Sequence, residues 1–286
     1  MKLSLNQLKY MISKLLIVVA FGLSLKGCTN KGIIIDKQLN ILISEHLEIT
    51  DRDLEKSDLL LLTDLEIKDV EIEALTGIKE CVNLEKLVLQ NCNLSDISEL
   101  KYLTSLKYLN VALNPNINSI SSIGHLCDLE VLIASGIIIS DISPLENNSK
   151  LKRLYLNNTK SIKSIEPLSA LTELTVLEIY DNQISDLEPL SRLVNLERFW
   201  CNQNNISDIS QIHQLTKLKY LIISNNSITN IEPLLGLRKL AILDFSHNEV
   251  SDISVIYDLI QQGAFTDTSY KIWWLEGVNN SPFINM

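Results

Sequence analysis

The chain has 286 residues, 46% of them hydrophobic, with only 9 Gly and 6 Pro, a composition that excludes disordered and collagen-like polymers. The 35 acidic and 25 basic residues give a formal charge of -10, which becomes -14 without residues 1–27, because these hold four lysines and no acidic residue. Nucleic-acid binding requires clustered lysine and arginine, so the acidic balance disfavours that class. The five cysteines have no metal-like spacing and do not form a disulfide or zinc framework.

Residues 1–27 have the features of an export signal. Three lysines precede an apolar run over residues 15–25, which is about half as long as a membrane-spanning helix requires. The run ends at Leu25-Lys26-Gly27-Cys28, which resembles the lipobox of bacterial lipoproteins. In that family the signal is cleaved before a Cys that carries diacylglycerol. Lys26 departs from the family pattern, which has a small or apolar residue there.

The lipobox resemblance implies that Cys28 is the lipidation site and the first residue of the mature protein. The lipid would hold the protein in the bacterial cell envelope, and Thr29 after the Cys favours the outer membrane where the cell has one. An ordinary secretion signal and an uncleaved anchor are the alternatives.

Residues 59–256 repeat with a period near 22. One apolar residue per repeat, the anchor, recurs every 22 or 23 residues, at Leu65, Leu87, Leu109, Leu132, Leu154, Leu177, Phe199, Leu221 and Leu243. The clearest units, over 174–190 and 218–234, read L-x-x-L-x-L-x-x-N-x-I-x-D-I-x-P-L. This pattern resembles the leucine-rich repeats of the 22-residue, internalin-like class. The resemblance implies an α/β, right-handed curved solenoid of nine repeats, with a parallel sheet on the concave face and short 3₁₀, helical or extended segments on the convex face.

The residue pattern independently predicts the two faces. The alternation in L-x-L predicts a short strand with one buried face, which is stable only when stacked against the strands of neighbouring repeats. On the other side of the units, Asp precedes an apolar residue, and Pro follows three residues after the Asp in several units. This order predicts an N-cap and the first turn of a short helix or 3₁₀ segment. The Asp residues are Asp96, Asp141, Asp186, Asp208 and Asp252.

The Asn position of each unit is implied by the resemblance to bond neighbouring repeats through its side-chain amide. Asn fills it in five repeats, at Asn114, Asn182, Asn204, Asn226 and Asn248. Val70, Cys92, Ile137 and Thr159 fill it elsewhere, so we expect this ladder to be weaker in the N-terminal half.

The exposed apolar ends of a solenoid must be covered. Residues 28–58 are predicted to form an anchor segment and an N-terminal helical cap. From residue 33 onward they resemble the cap of internalin-like repeats, with Thr50 and Asp53 at capping-box spacing. Residues 257–286 are predicted to form a C-terminal cap, in which 263–265 and 273–275 close the last repeat. Residues 266–286 have no further predicted role.

No catalytic site, metal site or cofactor site is predicted. The four histidines do not have ligand spacing, and the familiar hydrolase, phosphate-loop and dinucleotide motifs are missing from the sequence. His247 near Asp244 or Glu249 leaves a hydrolase as the least favoured alternative. Cys81, Cys92 and Cys201 are predicted to be buried.

The predicted functional surface is the concave face. Residues one before, one after and three after each anchor should point outward there. They include an aromatic, aliphatic and arginine patch of Tyr108, Ile133, Arg153, Tyr155, Tyr180, Arg198, Trp200, Tyr220 and Ile222. Tyr, Trp and Arg dominate interface hot spots, so we predict a non-catalytic, monomeric protein-binding module, with Tyr155 and Trp200 as anchoring side chains and Arg153 and Arg198 pairing acidic groups. A glycan binder and a structural envelope scaffold are the alternatives; the resemblance implies adhesion or host-protein recognition.

Overall fold

The structure is a computed structural model that describes residues 33–34 and 36–265, together with the backbone of 271–273. The predicted signal peptide, Cys28 and residues 274–286 lie outside the described residues. The described part forms one compact unit.

A single parallel sheet runs through this unit. Its ten strands follow one another in chain order, and each is hydrogen-bonded to the next. The strands are β1 (Asp64–Lys68), β2 (Lys86–Gln90), β3 (Tyr108–Asn110), β4 (Val131–Ile133), β5 (Arg153–Tyr155), β6 (Val176–Glu178), β7 (Arg198–Trp200), β8 (Tyr220–Ile222), β9 (Ile242–Asp244) and β10 (Lys271–Trp273). The predicted leucine-rich repeat solenoid is therefore confirmed.

The nine anchors hold the register of the sheet. Leu65 lies opposite Leu87, Leu87 opposite Leu109, and the pairing continues anchor to anchor as far as Leu221 and Leu243. All nine anchors are buried. The core lies behind the sheet, and the side chains beside each anchor belong to the opposite, concave face.

Eight 3₁₀ segments form the convex side of the described unit. They are Ile78–Glu80, Ser98–Tyr102, Ser121–His125, Ser143–Asn147, Glu166–Ala170, Glu188–Arg192, Ser210–Gln214 and Glu232–Leu234. The predicted Asp N-caps lie one residue earlier than expected: Asp141 Oδ1 accepts a hydrogen bond from the Ser143 N–H, two residues on, at 2.8 Å. This hydrogen bond is the largest cause of the lowered pKa of Asp141.

The N-terminal end is covered by helix α1 (Lys37–His46), whose Leu39 and Ile43 are buried. Asp36 caps α1 by accepting from the Leu39 N–H at 2.6 Å, and its second oxygen accepts from the Glu73 N–H at 2.8 Å. One carboxylate thus joins the cap to the first repeat.

The capping box predicted at Thr50 and Asp53 is wrong, because no helix begins there. The next helix, α2, spans Lys56–Leu59, and Asp58 accepts from the Glu55 N–H at 2.7 Å. Asp58 also forms two 2.7 Å hydrogen bonds with the Arg52 guanidinium, which together with the Glu55 bond lower its pKa to about 2.

The C-terminal end carries helix α3 (Ser254–Gln261), with Val255, Ile256 and Leu259 buried. The Phe265 N–H donates to the Leu240 carbonyl at 2.8 Å, and β10 pairs with β9 beyond the last repeat. Helix α3 therefore includes residues on both sides of position 256, where the sequence predicts that the repeats end and the C-terminal cap begins.

The Asn position carries hydrogen bonds between repeats. Asn226 Nδ2 donates to the Cys201 carbonyl of the preceding repeat at 3.1 Å, and its Oδ1 accepts from the Ile206 N–H at 3.0 Å. Asn114 is fully buried and accepts from two such N–H groups, those of Cys92 and Leu94, at 2.9 and 3.0 Å. These amides satisfy backbone groups that turn away from the sheet inside the protein.

Replacing the Asn114 amide should therefore be costly. We expect Asn114→Ala to lower the free energy of unfolding by about 3 kcal/mol, because it leaves buried backbone donors without an acceptor. Chemical denaturation measures the change. The control Asn118→Ala alters an exposed Asn in the same repeat and should change stability by less than about 0.5 kcal/mol. Equal effects from the two variants would contradict the structural role of Asn114.

Candidate functional site

The structure brings most of the predicted site residues together on the concave face of β5–β8. In the row one residue before each anchor, Arg153, Val176, Arg198 and Tyr220 are successive register partners. The row one residue after each anchor runs through Ile133, Tyr155, Glu178, Trp200 and Ile222. Tyr180 lies on the same face, three residues after its anchor.

Tyr108 lies at the margin of this patch. Val131 separates it from Arg153 in the row, and its ring has Lys86 Nζ at 5.8 Å from the centroid. We therefore name the central group of Tyr155, Glu178, Arg198, Trp200 and Tyr220 the concave cluster.

Glu178 is the cluster residue that the sequence prediction missed. Its side chain is only 8% exposed. Oε2 accepts a hydrogen bond from Asn157 Nδ2 at 3.3 Å, and Oε1 accepts from an Arg198 guanidinium nitrogen at 3.5 Å. Burial is the main cause that raises its pKa, while the Asn157 and Arg198 contacts act in the opposite direction. A signal was available in the sequence, because Glu178 occupies the same repeat position as Tyr155 and Trp200.

Arg198 joins the carboxylate to the aromatic side chains. Its guanidinium carbon lies 5.2 Å from the Trp200 ring centroid and 5.3 Å from the Tyr220 ring centroid. Both distances are within cation–π range. Arg153, in contrast, is exposed, and among the described side chains it has no ion pair.

Tyr155 and Trp200, which the sequence predicts to contribute most to partner binding, are both half-buried. Their polar atoms lie in different environments. The indole nitrogen of Trp200 is buried and lacks a hydrogen-bond partner within the described part of the chain. Burial, as the main cause, raises the pKa of the Tyr155 hydroxyl. The cluster is thus a partly desolvated polar and aromatic surface rather than core packing, because the anchors behind it form the core.

Charges beside the strand starts are neutralised between repeats. Lys107 pairs with Glu85 at 2.9 Å, Lys152 with Glu130 at 2.9 Å, and Lys219 with Glu197 at 2.7 Å. Each pair joins residues two positions before consecutive anchors. The lysines and glutamates at this edge of the concave face are therefore paired with each other.

The alternative sites of the sequence prediction are not assembled. Asp244 accepts hydrogen bonds from Ser246, and within residues 36–265 neither Asp244 nor Glu249 forms an ion pair with His247. In the same part of the chain, groups of three or more potential metal ligands are not found. The described helices are also too short or too polar to cross a membrane.

The cysteines described by the structure are free thiols. Cys81, Cys92 and Cys201 are buried, and Cys127 is exposed. Burial raises the pKa of Cys81 to about 12 and that of Cys92 to about 11. These two thiols therefore stay protonated at neutral pH and act as small apolar side chains.

Comparison with known proteins identifies the family. A family model described as leucine-rich repeats (two copies) matches residues 172–212 and 216–258. The structure of an internalin (inlF) from Listeria monocytogenes is 30% identical, with a TM-score of 0.74, and the alignment covers 85% of this chain and 76% of that one. The chain belongs to the internalin-like leucine-rich repeat proteins.

Two further structures support the same fold. An internalin C2 (inlC2) from Listeria monocytogenes is 28% identical, with a TM-score of 0.70. The alignment covers 79% of the present chain and 98% of the internalin C2 chain. The functional domain of InlJ from Listeria monocytogenes, which includes a cysteine ladder, is 23% identical, with a TM-score of 0.64 and coverages of 82% and 56%, and supports the fold alone. Curated proteins give no match.

The raised pKa of Glu178 predicts a pH-dependent stability of this internalin-like protein. Since the folded-state pKa exceeds the unfolded one, the contribution of Glu178 is most favourable below about pH 4 and is lost as pH rises through the folded pKa. Glu178→Gln abolishes this ionisation. We expect the free energy of unfolding of the variant, relative to wild type, to increase between about pH 4 and pH 7 in denaturant titrations.

Glu66→Gln is the matched control, because Glu66 occupies the same repeat position in β1. A hydrogen bond from Lys68 is the largest cause of its lowered pKa, so its contribution is present at neutral pH and lost in acid. The relative free energy of unfolding of Glu66→Gln should therefore fall as pH rises. Matching signs for the two variants would contradict the environment described for Glu178.

Proposed function

We propose that this internalin-like protein is a non-catalytic module of the bacterial envelope that binds another protein on its concave face. The observation that carries the proposal is the concave cluster, in which Tyr155, Trp200 and Tyr220 are half-buried on the open face of the sheet. Half-buried aromatic side chains next to charged groups are typical of interface hot spots. The leucine-rich repeat fold is itself typical of protein-interaction modules.

The mechanism that we propose is the presentation of a preformed surface. Successive strands hold the face through regular backbone hydrogen bonds, such as those from the Arg198 N–H to the Thr175 carbonyl at 3.0 Å and from the Tyr220 N–H to the Glu197 carbonyl at 3.1 Å. A partner that binds such a surface loses less free energy to the ordering of loops and side chains.

Individual side chains have different proposed roles. Tyr155 and Trp200 supply most of the buried contact area. Around them, the supporting contacts come from Tyr108, Ile133, Tyr180, Tyr220 and Ile222. Arg153 and Arg198 pair acidic groups of the partner. Arg153 is the more available of these two arginines, since Arg198 already contacts Glu178 and two aromatic rings.

We further propose that the protein is exported and anchored through a lipid on Cys28. The support is the charged and apolar order of residues 1–27 and the resemblance of residues 25–28 to a lipobox. A diacylated Cys with an amide-linked chain would hold the module stably at the membrane.

Loss of the Tyr155 and Trp200 side chains should strongly weaken partner capture. We expect Tyr155→Ala with Trp200→Ala to lower capture at least about tenfold in a crosslinking pull-down from envelopes, as hot-spot truncations of about 2 kcal/mol imply. Circular dichroism establishes that the variant is folded.

The control is the double variant Tyr102→Ala with Tyr257→Ala. These tyrosines lie outside the concave face and are 50% and 51% exposed, so the same chemical change should leave capture intact. Capture of the same protein by wild type and by the concave variant would refute the proposed surface.

The lipid proposal has a separate test. In a bacterial host fed an alkyne-labelled fatty acid, the wild-type protein should take up label and sediment with membranes. Cys28→Ser should lose both properties, because the hydroxyl is not an acceptor for the diacylglyceryl group. Cys127→Ser, which removes an exposed thiol of the solenoid, should retain both. Persistent labelling of Cys28→Ser would contradict the assignment of Cys28 as the lipidation site.

A further inference from the structure

We infer that the concave cluster binds an arginine side chain of the partner between the rings of Tyr155 and Trp200, against the carboxylate of Glu178. This inference rests on the proposed function and specifies the chemistry of the same surface.

The register of the sheet sets the spacing of this site. Tyr155 pairs with Glu178, and Glu178 pairs with Trp200, so the three side chains leave the same face on consecutive strands. Parallel strands lie about 4.8 Å apart, which separates the two aromatic positions by about 10 Å. A cation held by Glu178 would therefore lie one strand spacing, about 4.8 Å along the sheet, from the strand of each aromatic residue.

Glu178 has unused capacity as a hydrogen-bond acceptor. A carboxylate has about four lone-pair sites, yet the described residues supply only two side-chain donors, at 3.3 and 3.5 Å. Both contacts are long for hydrogen bonds to an ionised group. A nearly buried carboxylate loses most of its hydration, and two long hydrogen bonds replace only part of it. A second guanidinium would supply the missing donors.

Arg198 does not close this site. Its side chain is 37% exposed, and its guanidinium also lies against both Trp200 and Tyr220. It reaches one oxygen of Glu178 at the long distance of 3.5 Å. Arg198 therefore forms a weak ion pair with one oxygen of Glu178. The other oxygen accepts from Asn157 and can accept from one more donor.

The net charge of the whole chain favours a basic partner. The chain carries a formal charge of -10, which attracts a basic partner over long distances. The neighbouring lysines at the strand starts, Lys107, Lys152 and Lys219, are paired with glutamates. Arg153 and Arg198 would both repel a cation, and the exposed position of Arg153 suits an acidic neighbour of the incoming arginine that offsets this repulsion.

The shape of the site favours arginine over lysine. A guanidinium is planar, stacks on aromatic faces and donates two parallel hydrogen bonds to a carboxylate. An ammonium group is compact and strongly hydrated, and it would lose more water on entering between two rings.

The test uses a single-side-chain probe. N-acetyl-arginine amide is titrated into the purified protein, and the indole N–H resonance of Trp200, assigned by its loss in Trp200→Phe, is followed by NMR. We expect a saturable shift with a millimolar dissociation constant. N-acetyl-citrulline amide has the same shape without the charge and should bind at least tenfold more weakly.

Variants then locate the charge that the probe recognises. Glu178→Gln should weaken binding of the arginine probe at least tenfold, whereas Glu66→Gln, at the same repeat position in β1, should leave it unchanged. The wild-type protein supplies a test that needs no folded variant: binding should weaken in acid as Glu178 is protonated, while Arg153, Arg198 and the probe keep their charges.

Three results would overturn the inference: no saturable shift, equal binding of the arginine and citrulline probes, or full binding by folded Glu178→Gln. None of these results contradicts the proposed function if the Tyr155 and Trp200 double variant still loses partner capture. The proposed function itself fails if that double variant captures the partner normally, whatever the probe does.

Discussion

The structure depends on the stacking of apolar anchors in register. Strands β3–β9 contain three residues each, too few to be stable alone, and their backbone groups find partners in adjacent repeats. Burial of the anchors holds each strand against the next, and Asn114, Asn182 and their counterparts satisfy the backbone where the chain leaves the sheet. The same constraint fixes which side chains become neighbours on the concave face, because residues at equal repeat positions lie one strand apart.

This neighbour relation governs the electrostatics of the protein. Opposite charges at equal positions form pairs between repeats, such as Glu85 with Lys107. At the centre of the concave face, the same geometry places a carboxylate between two aromatic residues, where burial raises the pKa of Glu178. An identical residue in β1, Glu66, meets Lys68 and Lys86 and has a lowered pKa. Repeat position alone therefore does not determine the chemistry of a side chain; its neighbours along the row do.

The sequence predicts the features that follow from the period. A spacing of 22 or 23 residues is enough to derive the parallel register, the buried anchors and the composition of the concave rows. Features that depend on local turn geometry are less accessible: Asp141 accepts a hydrogen bond from the N–H two residues on, and the cap contact expected at Thr50 and Asp53 forms at Glu55 and Asp58 instead. Glu178 was missed because an acidic residue on a strand looks solvated until the bulk of its neighbours is considered.

We propose that the partner binds the concave face and not the convex side. Site-specific photocrosslinking in living cells, with p-benzoylphenylalanine replacing one tyrosine at a time, is the most direct test of this proposal. Tyr155, Tyr180 and Tyr220 report on the concave face, Tyr102 reports on the convex side, and Tyr257 reports on the C-terminal helix α3. We expect adducts with one common protein from the three concave positions and none from Tyr102 or Tyr257. Adducts confined to Tyr102 and Tyr257, or the same adducts from all five positions, would contradict the proposal.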